Sequence, residues 1–239
     1  MKTLYILKVG TTFPETLKQL GDFDRWTVAG LNGSSFDVDV LDVEHGAVLP
    51  TPDACAGVVI TGSHSMVTDN LSWSVALEQW LPQLLDAGVP ILGICYGHQL
   101  LGRAAGGRVG LHPQGKEIGT VPVRLTDEGQ QDRLFAGLPS SFPAHVTHAQ
   151  SVLRLPDDAV LLAVNGFEPH HAYRLGDYAW GVQFHPEYDT EIMRSYIDQQ
   201  TVELKGAGRD VAEILQGVTP TPEAGQVLCR FAEIVSSRW

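Results

Sequence analysis

The stretch Pro90-Ile-Leu-Gly-Ile-Cys-Tyr-Gly-His-Gln-Leu-Leu101 constrains the fold of this 239-residue chain more than any other. An apolar run of strand length passes through Gly93-x-Cys95-x-Gly97 directly into helical spacing, which lasts until Gly106-Gly107. A strand that turns at once into a helix is half of a βαβ unit, and the same rhythm recurs around it. Leu4–Lys8 reads as a first strand, Phe36–Val43 as a second with alternation at Val38 and Val40, and Gly57–Ile60 as a short buried third. Between them, residues 74–86 place Ala76, Leu77, Trp80, Leu81, Leu84 and Leu85 at helical spacing, with Pro82 inside and Gly88 as the stop.

From Val109 to Gln183 the pattern changes to short alternating stretches (120–125, 160–164, 172–175 and 178–184), which predict antiparallel strands completing the core. After Pro186, helices are expected over 190–204 and 223–236, punctuated by Gly206, Gly208 and Pro220-Thr-Pro222. The expected class is α/β: a largely parallel central sheet flanked by helices, a small antiparallel sheet, and a C-terminal helical extension. No internal repeat or long linker is visible, so the chain is read as one domain over 1–190 with 191–239 packed on it.

Composition narrows the function. Sixteen Lys and Arg against 28 Asp and Glu leave a formal charge of −12, which repels phosphate backbones and anionic lipid, so nucleic acid and membrane surfaces are poor partners. Cys55, Cys95 and Cys229 are too few and too scattered for a disulfide framework, and they suit a reducing cytoplasm. The opening residues show neither a leader pattern nor a membrane span, so a cytoplasmic location is expected.

The chemistry begins at Cys95. Glycines at 93 and 97 remove side chains where the chain reverses, so Cys95 can occupy a strained turn with its sulfur at a helix N-terminus, where the helix dipole favours the thiolate. Cys55 and Cys229 lack that setting and read as packing residues. Such a nucleophile needs a base and a group to orient it. Gly181-Val-Gln-Phe-His185-Pro-Glu187 offers both, because Pro186 ends the strand and lets His185 and Glu187 turn toward one site. Donors for an oxyanion are expected at Gly62, in the loop after Val58-Val-Ile-Thr-Gly62-Ser63-His64, and at the Tyr96 amide.

These residues resemble the class I (triad) glutamine amidotransferases, most closely the glutaminase part of GMP synthetase. The resemblance rests on Gly93-Ile-Cys-Tyr-Gly-His-Gln99 together with Gln183-Phe-His-Pro-Glu187. It implies a flavodoxin-like fold and a reaction in which Cys95 attacks the γ-amide of glutamine, forms a γ-glutamyl thioester and releases ammonia. His185 would be base then acid, Glu187 its orienter, and Gly62 and Tyr96 the oxyanion hole. Ser63, Gln99, Thr147, His148 and Ala149 would contact the substrate. No cofactor is implied, and a separate synthetase chain would have to accept the ammonia, since no Walker-type loop occurs here.

The chain departs from the pattern at three places. Thr147 stands for Ser, Ala149-Gln150 stand where Gly-Asp is usual, removing a carboxylate able to pair with an α-ammonium, and Thr61 replaces a glycine. Lys116-Glu117 is family-like but also explicable as an exposed hairpin charge pair. A γ-glutamyl peptidase acting on other γ-glutamyl compounds is therefore the rival enzyme, and a non-catalytic subunit on the same fold is the rival class. Intact Cys95, His185 and Glu187 argue against the latter. Metal binding by His145-x-x-His148 or His170-His171 is disfavoured, because no zinc-type spacing accompanies them. His64, His112 and His170 are expected on the surface or in loops, Asp37, Asp39 and Asp42 on a solvated edge, and Trp73 beside the pocket.

Overall fold

The computed structural model describes residues 2–31 and 37–238. Strands β1 (Thr3–Lys8), β2 (Val38–Asp42), β3 (Cys55–Ile60) and β4 (Ile91–Ile94) alternate with helices α1 (Pro14–Leu20), α2 (Phe23–Gly30), α3 (Ser72–Asp86) and α4 (Tyr96–Ala104). Next come β5 (Arg108–Leu111), β6 (Glu117–Leu125), α5 (Asp127–Gln131), β7 (Ser141–His148), β8 (Gln150–Arg154), β9 (Ala159–Val164), β10 (Ala172–Leu175) and β11 (Ala179–Val182). Helices α6 (Thr190–Gln199), α7 (Thr201–Gly206), α8 (Val211–Gln216) and α9 (Pro222–Arg238) complete the described chain.

Nine strands form one sheet in the order β2-β1-β3-β4-β11-β10-β9-β6-β7, while β5 and β8 make a separate antiparallel ribbon. Pairing is parallel from β2 through β11 and antiparallel from there to β7. The expected α/β class is thus observed. The alternating stretches after Val109 extend the same sheet as well as forming the ribbon. Strands β3 and β4 are buried at every position because helices cover both faces, which is why their sequences are continuous apolar runs. Leu7, Val58 and Ile60 face Leu77, Trp80, Leu84 and Leu100 of α3 and α4. Leu4, Val59 and Leu92 face the other way, toward Val227, Leu228 and Phe231 of α9.

Several boundaries differ from the sequence pattern, among them the strand expected over 178–184, which spans only Ala179–Val182 and ends before Pro186. The second strand begins at Val38, and Phe36 lies outside the described residues. The helix expected over 190–204 breaks into α6 and α7 at Gln200, whose side chain is bonded into the site described below. Pro82 is carried inside α3, which continues to Asp86. Asp37 and Asp39 are exposed along the β2 edge as expected. Among the described residues no helix is long and apolar enough to cross a membrane.

Candidate active site

The carboxyl ends of the adjacent parallel strands β3, β4 and β11 converge, and each delivers one element of the site. Cys95 links β4 to α4 with φ 49° and ψ −93°, a conformation that costs a non-glycine residue about 1–3 kcal/mol. Its amide donates to the Val182 carbonyl of β11 at 2.9 Å. The flanking glycines are required by crowding. A Cβ on Gly93 would lie 2.4 Å from the Gly97 carbonyl oxygen, and one on Gly97 would lie 2.5 Å from the Ile60 carbonyl oxygen. The helix N-terminus is therefore pressed onto β3, and the cysteine is lifted between the strands.

Three residues beyond β11, His185 is almost fully buried, with its amide donating to the His145 carbonyl at 2.8 Å. Nδ1 and Glu187 Oε1 are 2.7 Å apart, so the carboxylate holds the ring with Nδ1 protonated. Nε2 is buried without a hydrogen-bonded partner. Burial alone would lower the imidazole pKa, but the charge of Glu187 and the nearby Cys95 sulfur outweigh it and raise the pKa to about 10. Cys95 and His185 are thus close enough to couple electrostatically, and their protonated-imidazole state is favoured at neutral pH.

Gly62 sits against this ring. A Cβ there would come 2.9 Å from His185 Cε1 and 3.2 Å from Phe23 Cε1, so the glycine makes room for the imidazole. The preceding Thr61 is buried, accepts the Val9 amide at 3.2 Å and donates to the Gly62 carbonyl at 3.0 Å, which pins the loop.

Cys95 and His185 open onto a pocket of about 620 Å³ whose wall includes Ser63, Tyr96, Gln99, Thr147, His148 and Ala149. The Thr147 carbonyl lies 3.9 Å from Cys95 Sγ, so the far edge strand β7 curls back over the nucleophile. Gln99 donates to the Gln150 carbonyl at 2.8 Å and to Gln183 Oε1 at 3.1 Å, which fixes its amide at the wall. Tyr96 points away and donates to Ser74 at 2.6 Å, leaving only its backbone near Cys95. His148 has both ring nitrogens engaged, Nδ1 with the Gln150 carbonyl and Nε2 with Glu117, each at 3.0 Å. It therefore shapes the wall and has no nitrogen left for a ligand. Gln150 donates to Thr68 at 2.6 Å while its Oε1 stays buried and unpartnered.

Several neighbours were not anticipated. Tyr188 stacks on His185 with ring centroids 4.1 Å apart, directly after the His-Pro-Glu signal. His64, expected at the surface, lines the pocket, lies 4.2 Å from the Phe13 ring, and has its pKa lowered by burial and by the His185 charge. His112 is also buried, stacked on Phe167 at 4.2 Å. Trp73 packs on Tyr96 at 5.5 Å and is not part of the pocket wall. Nor do Lys116 and Glu117 form an exposed pair. Lys116 Nζ reaches Gln200 Oε1 at 2.7 Å and Glu203 Oε1 at 2.6 Å. Glu117 is buried with His148 and with His171, 3.5 Å away, and Asn165 donates to it at 2.8 Å. Burial would raise its pKa, but the two histidines lower it to about 2.

The family profile described as glutamine amidotransferase class-I matches residues 23–204, from the start of α2 into α7. This chain belongs to the class I glutamine amidotransferase family. Among its relatives, a GMP synthase [glutamine-hydrolyzing] of Aeropyrum pernix is 37% identical over 180 residues, covering 72% of this chain and 33% of that protein. The chain thus spans about a third of that relative's length. Gamma-glutamyl peptidase 5 of Arabidopsis thaliana is 32% identical over 184 residues, covering 74% of this chain and 73% of that one. A solved glutamine amidotransferase from Methylobacillus flagellatus superposes with a TM-score of 0.74 at 26% identity, over 100% of this chain and 94% of the other. One from Thermotoga maritima shares the fold of this chain with a TM-score of 0.75 at 21% identity, over 98% of both chains.

Proposed function

We propose that this protein hydrolyses the γ-amide of glutamine, or of a γ-glutamyl compound, through a thioester on Cys95. The observation that carries this reading is the buried His185 imidazole, held at Nδ1 by Glu187 and left unpartnered at Nε2 beside the Cys95 sulfur. With the Cys95 thiol proton passed to His185 Nε2, attack of the thiolate Sγ on the γ-carbonyl forms the C–S bond and opens the C=O bond to an oxyanion, with the Tyr96 and Gly62 amides as its donors. His185 then gives its Nε2 proton to the departing nitrogen as the C–N bond breaks. Now neutral, it takes a proton from water, which attacks the thioester and returns the thiol with a free γ-carboxylate. Ser63, Gln99, Thr147 and Ala149 line the space for the glutamyl group, and His148 supports that wall.

With free glutamine the leaving group is ammonia, and a separate acceptor chain would consume it. A second reading, a γ-glutamyl peptidase, is favoured by a pocket of about 620 Å³, within the range that holds drug-sized molecules. We read the chain as a domain over 1–190 with 191–239 packed on it, working without a cofactor in a cytoplasmic setting. Incubation with an electrophilic glutamine analogue and peptide mass mapping tests the chemistry. Labelling is expected at Cys95, lost in Cys95→Ser and slowed by substrate. A label on another residue would overturn the assignment.

A further inference from the structure

The pocket has a buried end and an open rim. Gln99 and Gln150 at the inner wall are 4% and 3% exposed, and Cys95 is 6% exposed. At the rim, Val202 is 87% exposed and the Glu203 side chain 61% exposed. In a thioester route the acyl group stays on sulfur while the amine departs, and a substrate whose glutamyl part lies against Gln99 and Thr147 would present its amine to the rim. Among the described residues, Lys116 is the sole Lys or Arg lining this pocket. Its ammonium is held at 2.7 Å by Gln200 Oε1, while Gln200 Nε2 donates to Thr147 Oγ1 at 3.2 Å. Thr147 is in turn the residue whose carbonyl lies 3.9 Å from Cys95 Sγ. Two side chains thus connect the cation to the nucleophile's wall.

We propose that Lys116 reads a carboxylate on the amine side of the scissile bond, so that the preferred substrates are γ-glutamyl amino acids or peptides. This rests on Cys95 being the acylated residue. Glu203 is the group a substrate would replace. Its pairing with Lys116 at 2.6 Å is largely solvent-exposed on the glutamate side, and exposed pairs of this kind contribute little to stability. Exchange for an incoming carboxylate is therefore cheap, and Gln200 keeps the ammonium in place. The chain carries −12 overall, so a local cation at the rim is what admits an anionic ligand.

The test compares γ-glutamylglycine with γ-glutamylethylamide, which match in length and differ by the carboxylate. Dissociation constants are measured by calorimetry on Cys95→Ala, where no turnover intervenes, and kcat/KM on the intact enzyme. The glycine compound is expected to bind at least about tenfold more tightly, the ratio to fall near one on adding Lys116→Met, and to rise on adding Glu203→Gln. Equal affinity for the two compounds overturns the proposal. So does a Lys116→Met variant that weakens both equally, since Lys116 would then read the α-carboxylate they share. Carboxylate-selective binding without any hydrolysis or Cys95 acylation by the intact enzyme would instead sink the hydrolytic reading and leave the recognition intact.

Discussion

Backbone strain at Cys95 is maintained by its surroundings. With φ at 49° and ψ at −93°, the residue is held by its bond to Val182 and by the tight fit of Gly93 against Gly97. Cys95→Gly should relieve that strain, raising stability by about 1 kcal/mol while abolishing turnover, and a thermal melt with an activity assay checks both. Gly62 gives the complementary case. Gly62→Ala would force its methyl toward His185 Cε1, displacing the imidazole by several tenths of an ångström. Activity is expected to fall about 100-fold with the fold retained, read from kcat/KM and circular dichroism, because small misplacements of catalytic groups carry costs of that order.

Between elements, the polar cluster beneath the pocket has the greatest effect. Glu117 on β6 joins His148 on β7 to His171, just before β10, and to Asn165 in the loop after β9. Its pKa is about 2, so it contributes stability that is fully present above its unfolded value near 4.5 and is lost as the pH falls toward 2. Glu117→Gln should therefore destabilise the protein by about 3 kcal/mol at pH 7, with the difference from the parent narrowing below pH 4 in denaturant titrations. His145, whose pKa burial and the His185 charge push down to about 4, adds stability that is lost as the pH falls from about 6.5 toward 4. Glu117 lies on β6 and His145 on β7, the strand whose Thr147 carbonyl meets Cys95, so acid should loosen the site before it unfolds the sheet.

At the scale of the molecule, α9 closes one face of the sheet. Val227, Leu228, Phe231 and Val235 are fully buried, with Leu228 packed toward Gly30 and Val235 toward Gly57. Burial of each such side chain is worth about 1.5–3 kcal/mol, so together they rival the whole stability of an ordinary domain. Truncation after Thr221 is expected to give insoluble or molten protein, measured by soluble yield and near-ultraviolet circular dichroism. A soluble, fully active truncate would show that the helix is dispensable. By contrast Val202 on α7 is exposed at the pocket rim, where substitutions should alter substrate choice more than stability.

Local patterns in the sequence were enough to determine the βαβ rhythm and the strand-to-helix turn at Cys95, and they marked His185-Pro186-Glu187 as lying past a strand, although that strand ends earlier, at Val182. Each depends on neighbours a few residues apart: apolar periodicity, glycines where the chain reverses, and a proline that cannot continue a strand. Such signals say nothing about which strands lie side by side. Only the tertiary structure placed β4 next to β11, bringing a histidine 90 positions downstream to Cys95, and curled β7 until the Thr147 carbonyl met the sulfur. The same holds for Lys116 and Glu117, adjacent in the chain as an ordinary charge pair. Lys116 stands just before β6 and reaches the rim beside Gln200, while Glu117 opens the strand and turns into the core beside His148. Side-chain environment is set by contacts between distant segments, and those contacts exist only once the sheet has formed.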